Sequence, residues 1–157
     1  MAIQLKVSRT IGAPPDEVFA VFTDLPRAHE RVSAIHRIDL LTEGPVRAGT
    51  RYKETRRMFG REATEEMEIV DFVPGERYTI ECRSCGSLVR STFRFMPESG
   101  ATRVELEVEA RAESLFAKAL MPFFGRTAMK SVRQAAERDL DDLARAVEEE
   151  AEARSMP

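Results

Sequence analysis

Four polar side chains in this sequence, His36, Glu54, Arg56 and Tyr78, have the types and spacing to do chemistry on a small molecule. Glu54 and Arg56 are two residues apart in an alternating segment, so they share one face of a strand with Tyr52 and Met58. If that face points inward, a carboxylate and a guanidinium stand beside an apolar interior, where a charge needs a partner or a ligand. Arg56 could then hold a ligand carboxylate or enolate, and Glu54 could orient it or act as a base. The plainer reading is a solvated pair on a wet strand, and Arg51, Lys53, Arg57 and Arg61 nearby give it weight. His36 shares a face with Ile38 and Leu40 and could act as an acid or base; a hydrogen-bonded histidine at a strand start is the plainer alternative. Tyr78 either offers its hydroxyl to a ligand or is a core aromatic with its oxygen at the rim.

Other chemistries find little support. His29 and His36 form no HxxxH or HExxH pair, and we expect neither metal nor cofactor. Cys82 and Cys85 lack the further ligands of a zinc site and sit at a strand end, away from the helix N-terminus that a redox pair wants. No Ser-His-Asp order, glycine-rich phosphate loop or paired-carboxylate signature is present. The basic run from Arg51 to Arg61 is interleaved with or followed by Glu54, Glu62, Glu65, Glu66 and Glu68, and the formal net charge is −3, so nucleic acid is not an expected partner. The 157 residues, 43% hydrophobic and 32% charged, suit one domain spanning 1–157. The opening alternates apolar and polar residues, unlike a signal peptide, and no apolar stretch is long enough to span a membrane. We expect a cytoplasmic protein without integral membrane association, and leave a homodimer open.

These residues must be positioned by a simple series of elements. Residues 3–11 alternate, with Ile3, Leu5, Val7 and Ile11 on one face, and read as a half-buried strand. Pro14-Pro15-Asp16-Glu17 opens a helix carrying Val18, Phe19 and Phe22. Asp24-Leu25-Pro26 ends it, and a second helical turn follows through Arg27 to Arg31. From Ile35 the period is two, and Gly44-Pro45, Gly60, Pro74-Gly75, Gly86 and Gly100 punctuate a meander of six or so antiparallel strands. Met67 and Ile69 share one strand face, and Phe93 and Phe95 another. After Glu113 the period turns helical, and Phe116, Leu120, Phe123 and Phe124 lead into Val132, Ala136, Leu140, Leu143 and Val147. Pro122 and Gly125 predict a kink or a loop-like start. The acidic stretch 148–157 predicts a frayed tail. This long helix alone can cover the sheet, which gives a layered α+β domain with a pocket between helix and sheet. Tyr52, Met67, Phe93, Leu120 and Phe124 complete its candidate lining. A membrane-surface helix is another reading of the aromatic stripe, with Lys118, Arg126 and Lys130 to meet headgroups.

The segment from Ser8 to Phe19 resembles the first strand and helix of START-like (SRPBCC, polyketide cyclase/dehydrase-like) proteins. Gly49-Thr50-Arg51-Tyr52, Asp71-Phe72-Val73-Pro74-Gly75-Glu76-Arg77-Tyr78, Gly100-Ala101-Thr102-Arg103-Val104 and Asp139-Leu140-Asp141-Asp142-Leu143 are similar to later pieces of that pattern, in the same order. The resemblance implies a helix-grip (Bet v 1-like) fold: a curved antiparallel sheet of six to seven strands around a long C-terminal helix, with two short helices after the first strand. Such folds host carriers, cyclases, sensors and co-chaperones. The leading expectation is a binding protein for a small hydrophobic or aromatic, lipid- or polyketide-like molecule. A cyclase/dehydrase-type enzyme and a protein-interaction module are the alternatives.

Overall fold

The computed structural model describes residues 2–157, the side chain of Phe124 excepted. Strand β1 (Ala2–Ile11) is followed by helix α1 (Pro15–Thr23), a short 3-10 turn and helix α2 (Ala28–Arg31). Six further strands follow: β2 (Ile35–Leu40), β3 (Arg51–Met58), β4 (Arg61–Val73), β5 (Arg77–Ser84), β6 (Ser87–Glu98) and β7 (Ala101–Ala112). Helix α3 (Leu115–Ser155) ends the chain. The seven strands form one antiparallel sheet in the order β1-β7-β6-β5-β4-β3-β2. This is the helix-on-sheet layering that the alternating strands and short turns predict, in the helix-grip form that the resemblance implies.

Local chemistry sets the boundaries. Prolines 14 and 15 occupy the N-cap and first position of α1, where the missing N–H costs nothing. Gly86 turns β5 into β6 with φ +74°, and a Cβ there would lie 2.4 Å from Ser114 Oγ. The same Ser114 caps α3 by accepting from the backbone N–H of Ala117 at 3.0 Å. A glycine is therefore required where a hairpin turn and a helix cap meet.

The convex side of the sheet is wet and charged. Lys6 pairs with Glu105 (3.2 Å), Arg94 with Glu107 (3.1 Å) and Arg90 with Glu81 (3.0 Å). Each such exposed pair adds little stability. The concave side holds the core, in two unequal halves. Beneath α1 it is filled: Phe19 and Phe22 meet Phe95 edge-on at 5.1 and 5.3 Å, and Tyr78 stacks on Phe93 at 4.7 Å. Leu140, Leu143, Ala144 and Val147 of α3 close this half.

The expectation of a loop-like start to α3 is corrected. The helix runs unbroken through Pro122 and Gly125, although Pro122 supplies no N–H to the ladder. Gly125 lets it come close to β1, where an added Cβ would lie 3.3 Å from Ile3 Cδ1. The C-terminal end is helical to Ser155. Val147 is fully buried, and Glu150 bonds the buried Arg31 at 2.7 Å. Arg31 also reaches Asp24 (3.0 Å) and the Val21 carbonyl (3.0 Å), tying α1, α2 and α3 together. These anchors hold a segment whose composition alone reads as solvent-loving.

Candidate functional site

The less deeply buried half of the concave face lies toward the β5–β6 turn and the start of α3. Strand parity places Met67, Ile80, Cys82, Val89, Ser91 and Ala110 on this face. All six are only half-buried, although each sits on an interior strand. The first half of α3 thus lies over a half-buried, largely apolar strip of the sheet, hereafter the trough. Phe93, also half-buried, marks its border with the filled half.

An ion cluster stands along one side of this trough. Arg56 Nε donates to Glu54 Oε1 at 2.6 Å, and Arg56 Nη2 donates to Asp139 Oδ2 of α3 at 2.9 Å. The three side chains are 18%, 11% and 22% exposed. Burial pushes Glu54 above the usual carboxylate range, and the Arg56 guanidinium only partly offsets it. Asp139 is raised for the same reason. Burial works against the charge on Arg56, but the two carboxylates hold it above its ordinary value, so it stays a cation. Glu65 lies across from Glu54 on β4 and accepts hydrogen bonds from Ser84 Oγ and, at 3.9 Å, Cys82 Sγ. Burial, with Glu65 beside it, pushes the Cys82 thiol up to about 12. It therefore stays protonated and is no nucleophile at neutral pH. Both cysteines are free.

Outside the cluster a polar cleft of about 460 Å³ opens between the β3–β4 turn and the middle of α3. That volume lies in the range of small-molecule sites. Arg56 and Asp139 form its inner wall, and Phe59, Arg57, Arg138 and His36 stand at its edge. Arg57 and Arg138 have no side-chain hydrogen bond or ion pair among the described residues. Arg56, the residue expected to grip an anion, is already committed on both sides.

The structure sorts the sequence candidates by position. Glu54, Arg56, Met67 and Phe93 border the trough together. Tyr52 is fully buried beneath it and packs with Leu25 and Ile69. Tyr78 belongs to the filled aromatic half, and its hydroxyl donates to the Phe22 carbonyl at 3.5 Å. His36 does not share a face with Ile38, because the β2–β3 register shifts between Ile35 and Arg37. It is 43% exposed, and its Nδ1 lies 2.9 Å from Glu62 at the outer rim. Leu120 is exposed at the start of α3, away from the trough floor. The side chain of Phe124 lies outside the described residues.

Asp139, Glu65 and Arg138 were missed. The signal for Asp139 was available: it falls three residues after Ala136 and four before Leu143, inside the apolar stripe of α3. Glu65 shares strand parity with Met67, which places it inward in the same way. Nothing in the local sequence singles out Arg138. Among the described residues, no group of three or more His, Cys, Asp or Glu could hold a metal. No described helix is long and apolar enough to cross a membrane.

A family model described as polyketide cyclase / dehydrase and lipid transport matches residues 2–148. The chain belongs to that family. No curated protein sequence matches it. Among solved structures, the Zhui aromatase/cyclase from a Streptomyces species superposes with a TM-score of 0.83 over 100% of both chains, at 16% identity. A Thermus thermophilus protein gives 0.78 over 98% of this chain and 100% of that one, at 18% identity. A START superfamily protein from Mycobacterium smegmatis gives 0.76 over 93% and 97%, at 10% identity. At these identities the likeness is one of fold. The family is a ligand-binding one.

Proposed function

We propose that the chain binds a small amphipathic molecule in the trough between sheet and α3. Its aromatic or lipid-like body lies over Met67, Ile80, Val89 and Phe93. Its oxygen-bearing end meets Glu54, Arg56 and Asp139, with Arg138 at the outer edge of the cleft. One observation carries this reading: a largely buried ion cluster borders a largely apolar strip of interior strands that is only half-buried. Covering that floor supplies the apolar driving force, at about 25 cal/mol per Å² before ordering costs. The cluster then fixes orientation. Native mass spectrometry of freshly purified protein, beside the denatured spectrum, tests it. A discrete added mass that leaves on denaturation is expected. A clean apo mass, together with no thermal shift across a panel of fatty acids and aromatic polyketides, would overturn the proposal.

A second reading, acid–base catalysis, is supported by the raised Glu54 and Asp139 carboxyls. A base works best when its pKa approaches the working pH, and burial moves Glu54 that way. In this reading the Glu54 carboxylate takes a proton from the carbon beside a ligand carbonyl. The C–H electron pair becomes the enolate double bond, and the oxygen's new charge faces Arg56. Glu54→Gln should then keep the bound molecule but stop deuterium exchange at that carbon. Exchange at an unchanged rate in the variant would remove Glu54 from the chemistry.

A further inference from the structure

The helical stripe of Leu115, Phe116, Leu120 and Phe123 does not close the core. Leu115 is 86% exposed, Phe116 74% and Phe123 82%. Phe116, Leu120 and Phe123 are four and three residues apart, so they form one outward ridge on α3. Gly125 and Met121 take the side toward the sheet, with Gly125 close to Ile3. A second exposed aromatic stands at the same end of the sheet. Phe59, 67% exposed, tips the β3–β4 hairpin, which reaches α3 at Ser131 across the cleft. Large apolar side chains from two separate segments therefore rim the open end of the molecule, where an exposed patch marks a contact surface.

Charge says what covers it. Between Ser114 and Ala136 the chain carries Lys118, Arg126, Lys130 and Arg133 and no Asp or Glu. Phe59 is likewise flanked by Arg57 and Arg61. The chain as a whole is acidic, with formal net charge −3, and the rest of α3 is rich in acids. The bases are thus concentrated around the exposed aromatics. A second copy seated symmetrically on this ridge would set base against base. An anionic bilayer surface fits both features: aromatics enter the headgroup region, and bases meet lipid phosphates.

We propose that the first half of α3 and the Phe59 hairpin tip dock the protein peripherally on an anionic lipid surface. The inference stands apart from the ligand reading, because it rests on the outward side of α3 and not on the trough. Co-sedimentation of the full chain with phosphatidylcholine vesicles, with and without phosphatidylglycerol, tests it. Binding is expected only to the anionic vesicles, and it should weaken as salt rises. The triple variant Lys118→Glu, Arg126→Glu, Lys130→Glu should weaken it about a hundredfold, at about fivefold per base. Phe116→Ser with Phe123→Ser should weaken it about tenfold or more while the melting temperature holds, since both side chains are already in water. Absence of binding to anionic vesicles would overturn the proposal, as would equal binding by the variants. A dimer of the parent chain that Phe116→Ser and Phe123→Ser dissolve, without vesicle binding, would also overturn it and assign the ridge to self-association.

Discussion

Replacing Arg56 with methionine should destabilise the fold by about 3 kcal/mol near pH 8, and by much less near pH 5. Methionine keeps the length and bulk of the stem, so the loss is mainly that of the cation. Glu54 and Asp139 reach the same guanidinium from opposite sides, one on β3 and the other on α3. Without it, two poorly solvated carboxylates face each other, with Glu65 adding to the repulsion on Glu54 and Asp142 to that on Asp139. Arg138 is the other cation near Asp139, and it is exposed.

The sign of the pH effect follows from proton counting. Even with Arg56 present, burial holds both carboxyls above their ordinary values. Over the window between the unfolded and folded pKa values, the native state binds more protons than the unfolded chain. Stability from these two groups is therefore present in full at low pH and falls as pH rises through that window. Removing the cation moves the folded values further up and widens the window toward neutral pH. At low pH both groups can take up protons, and the missing charge matters little. Urea unfolding of parent and variant at the two pH values measures the difference. An equal loss at both would mean that Arg56 acts through packing, and that the ion cluster is not what holds β3 to α3.

How much of this could be read in advance varied with the kind of information required. Turns and strands were legible because glycine, proline and period-two alternation act locally, and Pro74-Gly75 or Gly60 constrain only their own neighbours. Parity put Glu54 and Arg56 on one strand face but left open whether that face points inward or to water. The same rule failed at His36, where one irregular step in pairing turned the ring outward and no residue type marks that step. Helical periodicity identified the stripe Phe116, Leu120 and Phe123 but not which side of the helix meets the sheet; the tight approach of Gly125 to Ile3 decides that. The partner of Arg56 was the hardest to see. Asp139 is 83 residues away along the chain, and only the closed fold brings the two together.

Substituting Val89 with tryptophan should weaken ligand retention about a hundredfold while leaving the fold standing. Val89 lies on the concave face of β6 between Cys82 and Ala110, beside Ser91, and is only half-buried. Val89 is not sealed in the core, so an indole there can reach toward the half-buried strip, and overpacking strain should be small. It would displace whatever lies on that floor. The chain contains no tryptophan, so the new residue also reports its own surroundings. Its emission should be blue-shifted relative to an exposed indole and should respond when a ligand is added or stripped. Arg90→Trp is the matched control: one residue along β6, on the convex face, bonded to Glu81 and open to water. It should emit as an exposed indole and leave the ligand mass in the native spectrum unchanged. If Val89→Trp retains the ligand as well as the parent does, the molecule does not lie in the trough. If both variants lose it equally, the loss reflects general damage to β6. Loss in Val89→Trp alone would place the ligand on the concave face, between the ion cluster and the first half of α3.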